Sequence, residues 1–374
     1  MTGVGGYDQQ IIYGQSHPEG VRACQMRKLI ILLDGAADER ISIFNNRTPL
    51  EAAHKEFLDG VARDGVVGTT DGKDYTHTFL LELLTGRPYD IPRGVIEAYG
   101  LELPIGEDRV AYRMTPAKVQ DHNVEWYYNI TCDEEMFLQR AIIKNRSKLA
   151  GMDPKILAYH GGKGVLTVKG DMILDLPKPP GPATLNGEDL GPFEDFARGV
   201  RDSTGGIALL PWGGGLGKVA VDIRREITRV PDMTVISKSP SALGVGKFLG
   251  MQTRRVQGFK EGIKVAAQLL DAEDVFLHVE ETDDISHKCN PKNKLKLIEE
   301  IDRELVRYGK RLRECQVALL IDHGASSLTG EHMRMNVPFA VCGGKWTGGG
   351  SDSFRENGGE HRPLGTLLDS LLQD

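Results

Sequence analysis

Paired cysteines, a basic excess and a long apolar run are all missing from this sequence. Its five cysteines, Cys24, Cys132, Cys289, Cys315 and Cys342, are widely scattered, odd in number and without a C-x-x-C pair. That argues against a disulfide framework and a zinc knuckle, and it fits a reducing, cytoplasmic compartment. The longest strongly apolar stretch, Leu29 to Leu33, is far too short to cross a bilayer. Residues 1–26 lack the charged start and apolar stretch of a signal peptide. With 46 Lys and Arg against 53 Asp and Glu, a net charge of -7, no broad positive field exists for nucleic acid or an anionic membrane surface. A local basic pocket for a small phosphate ester remains compatible with that balance. The expectation is a cytoplasmic protein that binds neither nucleic acid nor membrane, with a homo-oligomeric state left open.

The 374 residues, 40% hydrophobic and 26% charged, suffice for one large core plus an inserted or appended domain. Residues 1–26 are Gly- and Gln-rich, show no hydrophobic period and read as an N-terminal extension. Leu29 to Leu33 ends in Asp34-Gly35, as expected of a buried parallel strand whose carboxyl end opens into a site. A helix is predicted over Pro49 to Arg63, a strand over Val66 to Thr69 and a helix near Leu80 to Thr85. The stretch 112–230 changes character, with short mixed strands, Trp126-Tyr127-Tyr128 and a Pro-rich segment from Leu176 to Pro182. Alternation of strands and helices then resumes through Val275 to Val279, Lys294 to Tyr308 and Gln316 to Ile321. The predicted fold is α/β: a doubly wound, largely parallel sheet formed by 27–111 and 231–374, with 112–230 inserted as an α+β cap.

Acidic residues and histidines stand after three of these strands: Asp34; Asp283 with His287; and Asp322 with His323, followed by His332. The ends of parallel strands lie along one sheet edge. Carboxylates and imidazoles gathered there suit two divalent ions about 4 Å apart, acting on a nucleophile and on phosphoryl oxygens. Alone, Asp34-Gly35 reads as a turn, Asp283 as a helix cap and Asp322-His323 as a polar loop. Together, after separate buried strands, they read as a site.

Leu33-Asp34-Gly35, Thr48-Pro49-Leu50-Glu51-Ala52-Ala53, His278 to His287, Asp322-His323-Gly324 and Glu331-His332 resemble the landmarks of archaeal-type cofactor-independent phosphoglycerate mutases, in the alkaline phosphatase superfamily. The resemblance runs from about residue 27 onward and is weak through the middle. It implies an alkaline-phosphatase-like core and two divalent ions, manganese or zinc. One ion would be bound by Asp283, His287 and His332, the other by Asp34, Asp322, His323 and the nucleophile oxygen.

The nucleophile segment departs from the family. Where the mutases carry a serine, this chain reads Thr69 to Thr78 without one. Aligning on His77 places Lys73 there, whereas aligning on Glu82 to Pro88 places Thr76 there. Thr76 is the preferred nucleophile and a metal ligand, with helix capping as its bland alternative. Two basic positions of the family are replaced by Trp212 and Leu243. Arg93, Arg113 and Lys163 remain as candidate substrate ligands, with Lys218, Lys238 and Lys247 nearby. The glycine-rich Trp212 to Lys218 lacks Walker spacing and is expected to be a turn or hinge.

The resulting expectation is phosphoryl transfer through a phosphothreonine on a small phosphorylated acid, as a mutase. The alternatives are a metal-dependent phosphatase or a hydrolase of another phosphate or phosphonate ester, and a catalytically retired homologue acting as a scaffold or regulatory subunit. A dinucleotide-binding oxidoreductase is disfavoured because no glycine fingerprint follows Leu33.

Overall fold

Every residue of Lys28–Leu33 (β1) is buried, because this strand has a neighbour on each side and helices over both faces. In the computed structural model, which describes residues 26–179, 183–186 and 188–372, β1 is followed by Val66–Asp71 (β2). The expected extension 1–26 lies outside the described residues except for Met26. Next come Arg109–Gln120 (β3), Asn123–Trp126 (β4), Lys155–Ala158 (β5), Gly164–Lys169 (β6), Ala183–Thr184 (β7) and Ile207–Leu216 (β8). The chain then forms Thr234–Ser237 (β9), Gln252–Arg255 (β10), Val275–Val279 (β11), Gln316–Leu320 (β12), Gly324–Ala325 (β13), His332–Met333 (β14), Asn336–Cys342 (β15) and Glu360–His361 (β16).

Eight of these strands make the central sheet, in the order β10-β9-β11-β1-β12-β15-β2-β16. From β10 to β12 every pairing is parallel, so the carboxyl ends of β1, β11 and β12 share one edge. Strand β15 alone runs against its neighbours β12 and β2. Its beginning, not its end, therefore lies at that edge, which brings the preceding β14 there. The largely parallel doubly wound sheet matches the expectation from sequence.

A second, antiparallel sheet carries β3 to β8, in the order β5-β6-β3-β4-β7 with β8 on the other side of β3. Helices Cys132–Asn145 and Glu194–Thr204 cover it, burying Leu138, Ile142, Phe196 and Val200 against the strands. Three readings need correction. The glycine-rich Trp212–Leu216 is not a turn but the end of β8. Its glycines are needed for close packing: a Cβ on Gly214 would lie 2.3 Å from the Tyr112 ring, and one on Gly215 would lie 2.4 Å from Pro92. The single helix expected over Pro49 to Arg63 is two, Pro49–Ala52 and Glu56–Asp64, split by the extended backbone of Ala53. The helix expected near Leu80 starts earlier, at Thr76, and that shift bears directly on the site.

Candidate metal centre

The loop geometry of each strand end decides where its side chains go. Asp34 follows β1, whose backbone register carries on as the Asp34 amide donates to the Val279 carbonyl at 3.0 Å. Asp283 and His287 project from one short helix after β11, one turn apart. Asp322 and His323 follow β12 directly, and His332 opens β14. The side chains gather into two clusters, Asp283 with His287 and His332, and Asp34 with Asp322 and His323, each with ligand atoms within 4.8 Å of one another. The clusters abut, since the rings of His323 and His332 lie 4.2 Å apart. Gly35 sits between them with φ +60, where a Cβ would fall 2.9 Å from Asp283 Oδ1 and 3.0 Å from His323 Cε1. Only glycine fills this position without pushing the two clusters apart.

The histidines are turned for ligation. His287 Nδ1 donates to the Gly330 carbonyl at 2.6 Å, His332 Nδ1 to the Asp74 carbonyl at 2.7 Å and His323 Nδ1 to the Gly324 carbonyl at 3.2 Å. Each ring thereby offers Nε2 to the carboxylates, which is how outer hydrogen bonds orient metal-binding imidazoles. Four buried atoms facing this space, Asp283 Oδ1, Asp322 Oδ2, His323 Nε2 and His332 Nε2, have no hydrogen-bond partner. Unpaired lone pairs turned toward one another are costly unless a cation lies between them. The donor set of carboxylate oxygen and imidazole nitrogen suits a divalent ion. The residues present therefore fit two metal ions.

Electrostatics agree with that fit. Burial and the Asp34 charge raise Asp322 to about 7. Burial disfavours a charged His323, yet the Asp322 and Asp34 carboxylates outweigh it and hold the ring near 10. Asp34 stays well below the usual carboxylate range despite burial, because the His278 ring hydrogen-bonds to it and the His323 ring lies against it. In an ion-free protein, protons on His323 and Asp322 would offset charge that divalent ions otherwise balance.

Thr76 is brought to the same place. It is the first residue of the helix Thr76–Thr85 and Tyr75 is its cap position, so the capping alternative does not describe it. Its hydroxyl instead donates toward Asp34, 3.1 Å from Oδ1 and 3.2 Å from Oδ2. Lys73, the rival in the nucleophile register, holds Glu82 at 2.7 Å. Arg93 and Arg113 both pair with the fully buried Glu97, Arg93 Nε at 2.8 Å, and Tyr159 donates to the same carboxylate at 2.7 Å. Lys163 pairs with Asp284 at 3.2 Å, as does Lys238 at 2.9 Å. All three candidate substrate ligands thus already face a carboxylate. Lys247 is spent on Glu102.

Several residues at the centre went unread in the sequence. His278 Nε2 lies 3.0 Å from Asp34 Oδ2 while Nδ1 meets Ser237 Oγ at 2.8 Å, so it orients Asp34. A histidine inside the apolar run Val275 to Val279 was the available signal. Tyr128 stacks on His287 with ring centroids 4.7 Å apart. The buried Lys294 donates to the carbonyls of Gly35, Ala37 and Ala325 at 2.9, 3.1 and 2.7 Å and pairs with Asp38 at 3.1 Å. A lysine on the inward face of an amphipathic helix was its only sequence sign. Cys289 belongs to neither cluster.

His77, beside Thr76, is buried, and burial with the nearby Arg93 charge lowers its pKa to about 3. Its neutral form is required in the folded state, so the associated stability is present above the ordinary value near 6.5 and is lost as pH falls toward 3. Each pH unit in that window removes up to about 1.4 kcal/mol. The expected result is that His77→Gln unfolds less steeply with acid than the parent between about pH 6 and 3, measured by urea titrations across pH. An unchanged slope would show that His77 is not held neutral.

Residues 228–372 match the family model described as the Metalloenzyme superfamily. The chain is 25% identical to 2,3-bisphosphoglycerate-independent phosphoglycerate mutase 2 of Methanocaldococcus jannaschii, over 85% of each chain. It is 28% identical to the 2,3-bisphosphoglycerate-independent phosphoglycerate mutase of Metallosphaera sedula, over 84% of this chain and 87% of that one. Among solved structures, the PH0037 protein of Pyrococcus horikoshii shares the fold with a TM-score of 0.68 at 20% identity, covering 93% of this chain and 96% of that one.

Proposed function

We propose that this chain, which carries a Metalloenzyme superfamily domain over residues 228–372 and has archaeal cofactor-independent phosphoglycerate mutases as homologues, is a metal-dependent phosphoryl-transfer enzyme with Thr76 as its nucleophile. The observation that carries this reading is the Thr76 hydroxyl, 3.1 Å from Asp34 Oδ1 at the edge of the two clusters. Asp283, His287 and His332 would hold one divalent ion, and Asp34, Asp322, His323 and Thr76 the other. When bound, the two ions supply positive charge to the phosphoryl oxygens and to the attacking hydroxyl.

Thr76 gives up its proton, its oxygen forms a bond to phosphorus, and the bond from phosphorus to the ester oxygen breaks. The departing oxygen takes a proton as the alcohol leaves. A second acceptor, water or an alcohol group, then attacks the phosphothreonine and restores the threonine. The amino end of the helix beginning at Thr76 adds a favourable field for the anion. The donors of Arg93, Arg113 and Lys163 left over by Glu97 and Asp284 are proposed to meet substrate, under a cap formed by 112–230. The four described cysteines are free, which supports placing this chemistry in a reducing cytoplasm.

A hydrolytic outcome is favoured over a mutase by one observation: the arginines facing the site share the buried Glu97. An acid released from phosphothreonine would be held weakly while it turned, leaving water to intercept. Turnover of 3-phosphoglycerate and of an aryl phosphate, with manganese and with zinc, tests the reading. Hydrolysis or isomerisation of either supports it, and no turnover of any phosphate ester by protein with two bound metals refutes it. Metal analysis of Asp283→Asn should find about one ion per chain where the parent holds two. Two ions retained in that variant would remove Asp283 from the ligand set.

A further inference from the structure

Beside Thr76 lies a cavity of about 400 Å³ between the end of β8, the start of the helix Thr76–Thr85 and the segments 90–93 and 173–178. Tyr75 and Trp212 form one wall, with ring centroids 6.1 Å apart. Ile91, Ile173 and Leu176 supply the apolar remainder, and His77 also lines the space. On its far side Tyr75 meets the ring of His332 edge-on at 6.2 Å, so the cavity and the metal centre share a wall. Two features set its chemistry. His77 is 4% exposed and its Nδ1 is buried with no partner, an acceptor that calls for a donor from outside the protein. The charged side chains in the wall are Asp90, Arg93, Asp175 and Lys178, and Arg93 pairs with Glu97 and lies over both aromatic faces, 5.8 Å from Tyr75 and 5.6 Å from Trp212. A guanidinium stacked in this way, in a wall where two cations face two carboxylates, does not demand a further carboxylate.

We propose that this cavity receives the alcohol end of the substrate, and that this end is an aromatic ring bearing a hydroxyl or amine donor for His77 Nδ1. The identification of the occupant as a phosphate ester rests on the phosphoryl-transfer reading above. A flat ring packs between Tyr75, Trp212 and the aliphatic side chains, and its substituent satisfies the histidine that is otherwise left unpaired. Phosphorus then sits outside the shared wall, by Thr76. A small, fully charged acid such as phosphoglycerate would leave the apolar part of the cavity unfilled. Ile173, 49% exposed at the cavity, is an apolar side chain with a reason to be there once a ring covers it.

Calorimetric titration of the manganese-loaded full chain with methylphosphonate, phenylphosphonate and 4-hydroxyphenylphosphonate tests this assignment. Phenylphosphonate should bind about tenfold more tightly than methylphosphonate, as burial of a ring requires. The hydroxyl should add a further gain of roughly fivefold, abolished in His77→Phe, which keeps a ring of similar size. Ile173→Glu, at an exposed position that does not threaten folding, should weaken phenylphosphonate about tenfold and methylphosphonate less than about twofold. Equal affinities for the methyl and phenyl compounds, no binding of either, or a phenyl preference untouched by Ile173→Glu would each overturn the assignment. A phenyl preference in protein that turns over no ester would support the pocket and refute phosphoryl transfer, so the two readings fail separately.

Discussion

Thr76→Ala should lower phosphoryl transfer at least about 10³-fold, while Thr76→Ser retains a measurable fraction of the parent rate. The hydroxyl is at the amino end of a helix and its bonds go to Asp34 alone among the described side chains, so its loss removes the proposed nucleophile without removing a capping bond. Alanine suits a first helical turn, and no large loss of stability is expected. Serine keeps the oxygen and loses only a methyl group. Metal content is the control, because five of the six other proposed ligands do not touch the threonine and Asp34 keeps its hydrogen bond to His278 and its charged contact with His323. An alanine variant with both metals and undiminished turnover would move the nucleophile elsewhere, and a trapped phosphoryl group found on another residue would say where.

Lys294→Met should be the most damaging single change to stability, by about 3–5 kcal/mol. The ammonium is fully buried and binds three backbone carbonyls and Asp38. All three carbonyls, of Gly35, Ala37 and Ala325, belong to the segments after β1 and β12 that carry Asp34, Asp322 and His323. Methionine fills the space, leaving the carbonyls and the Asp38 carboxylate without their donor. Denaturant titration with two metals bound checks the magnitude, and metal affinity should fall at the cluster of Asp34, Asp322 and His323 before the other. A loss below about 1 kcal/mol would mean that water replaces the ammonium and that the two loops hold themselves in place.

The resemblance and the strand pattern make the candidate ligands legible in the sequence. An apolar strand closing on Asp34-Gly35, and another on Asp322-His323, announce themselves because parallel strands are buried on both faces and their ends are the places where polar groups reappear. Thr76 was harder, since two alignments competed and sequence spacing does not tell which side chain faces Asp34. The helix that begins at Thr76 turns its hydroxyl toward Asp34, which supports the second alignment. The turn expected at Trp212 to Lys218 shows the opposite failure: glycine marks close packing as well as turns, and only the positions of Tyr112 and Pro92 distinguish the two.

By itself the sequence determined the α/β class, the candidate ligands at the ends of apolar strands and the absence of a serine in the nucleophile segment, because these depend on local hydrophobic pattern and residue identity. Tertiary structure alone decided that Arg93 and Arg113 share the buried Glu97, that His278 steadies Asp34 and that His332 reaches the centre through the reversed direction of β15. Those facts join residues from distant parts of the chain, and such pairings follow from strand order and packing, which local pattern does not encode.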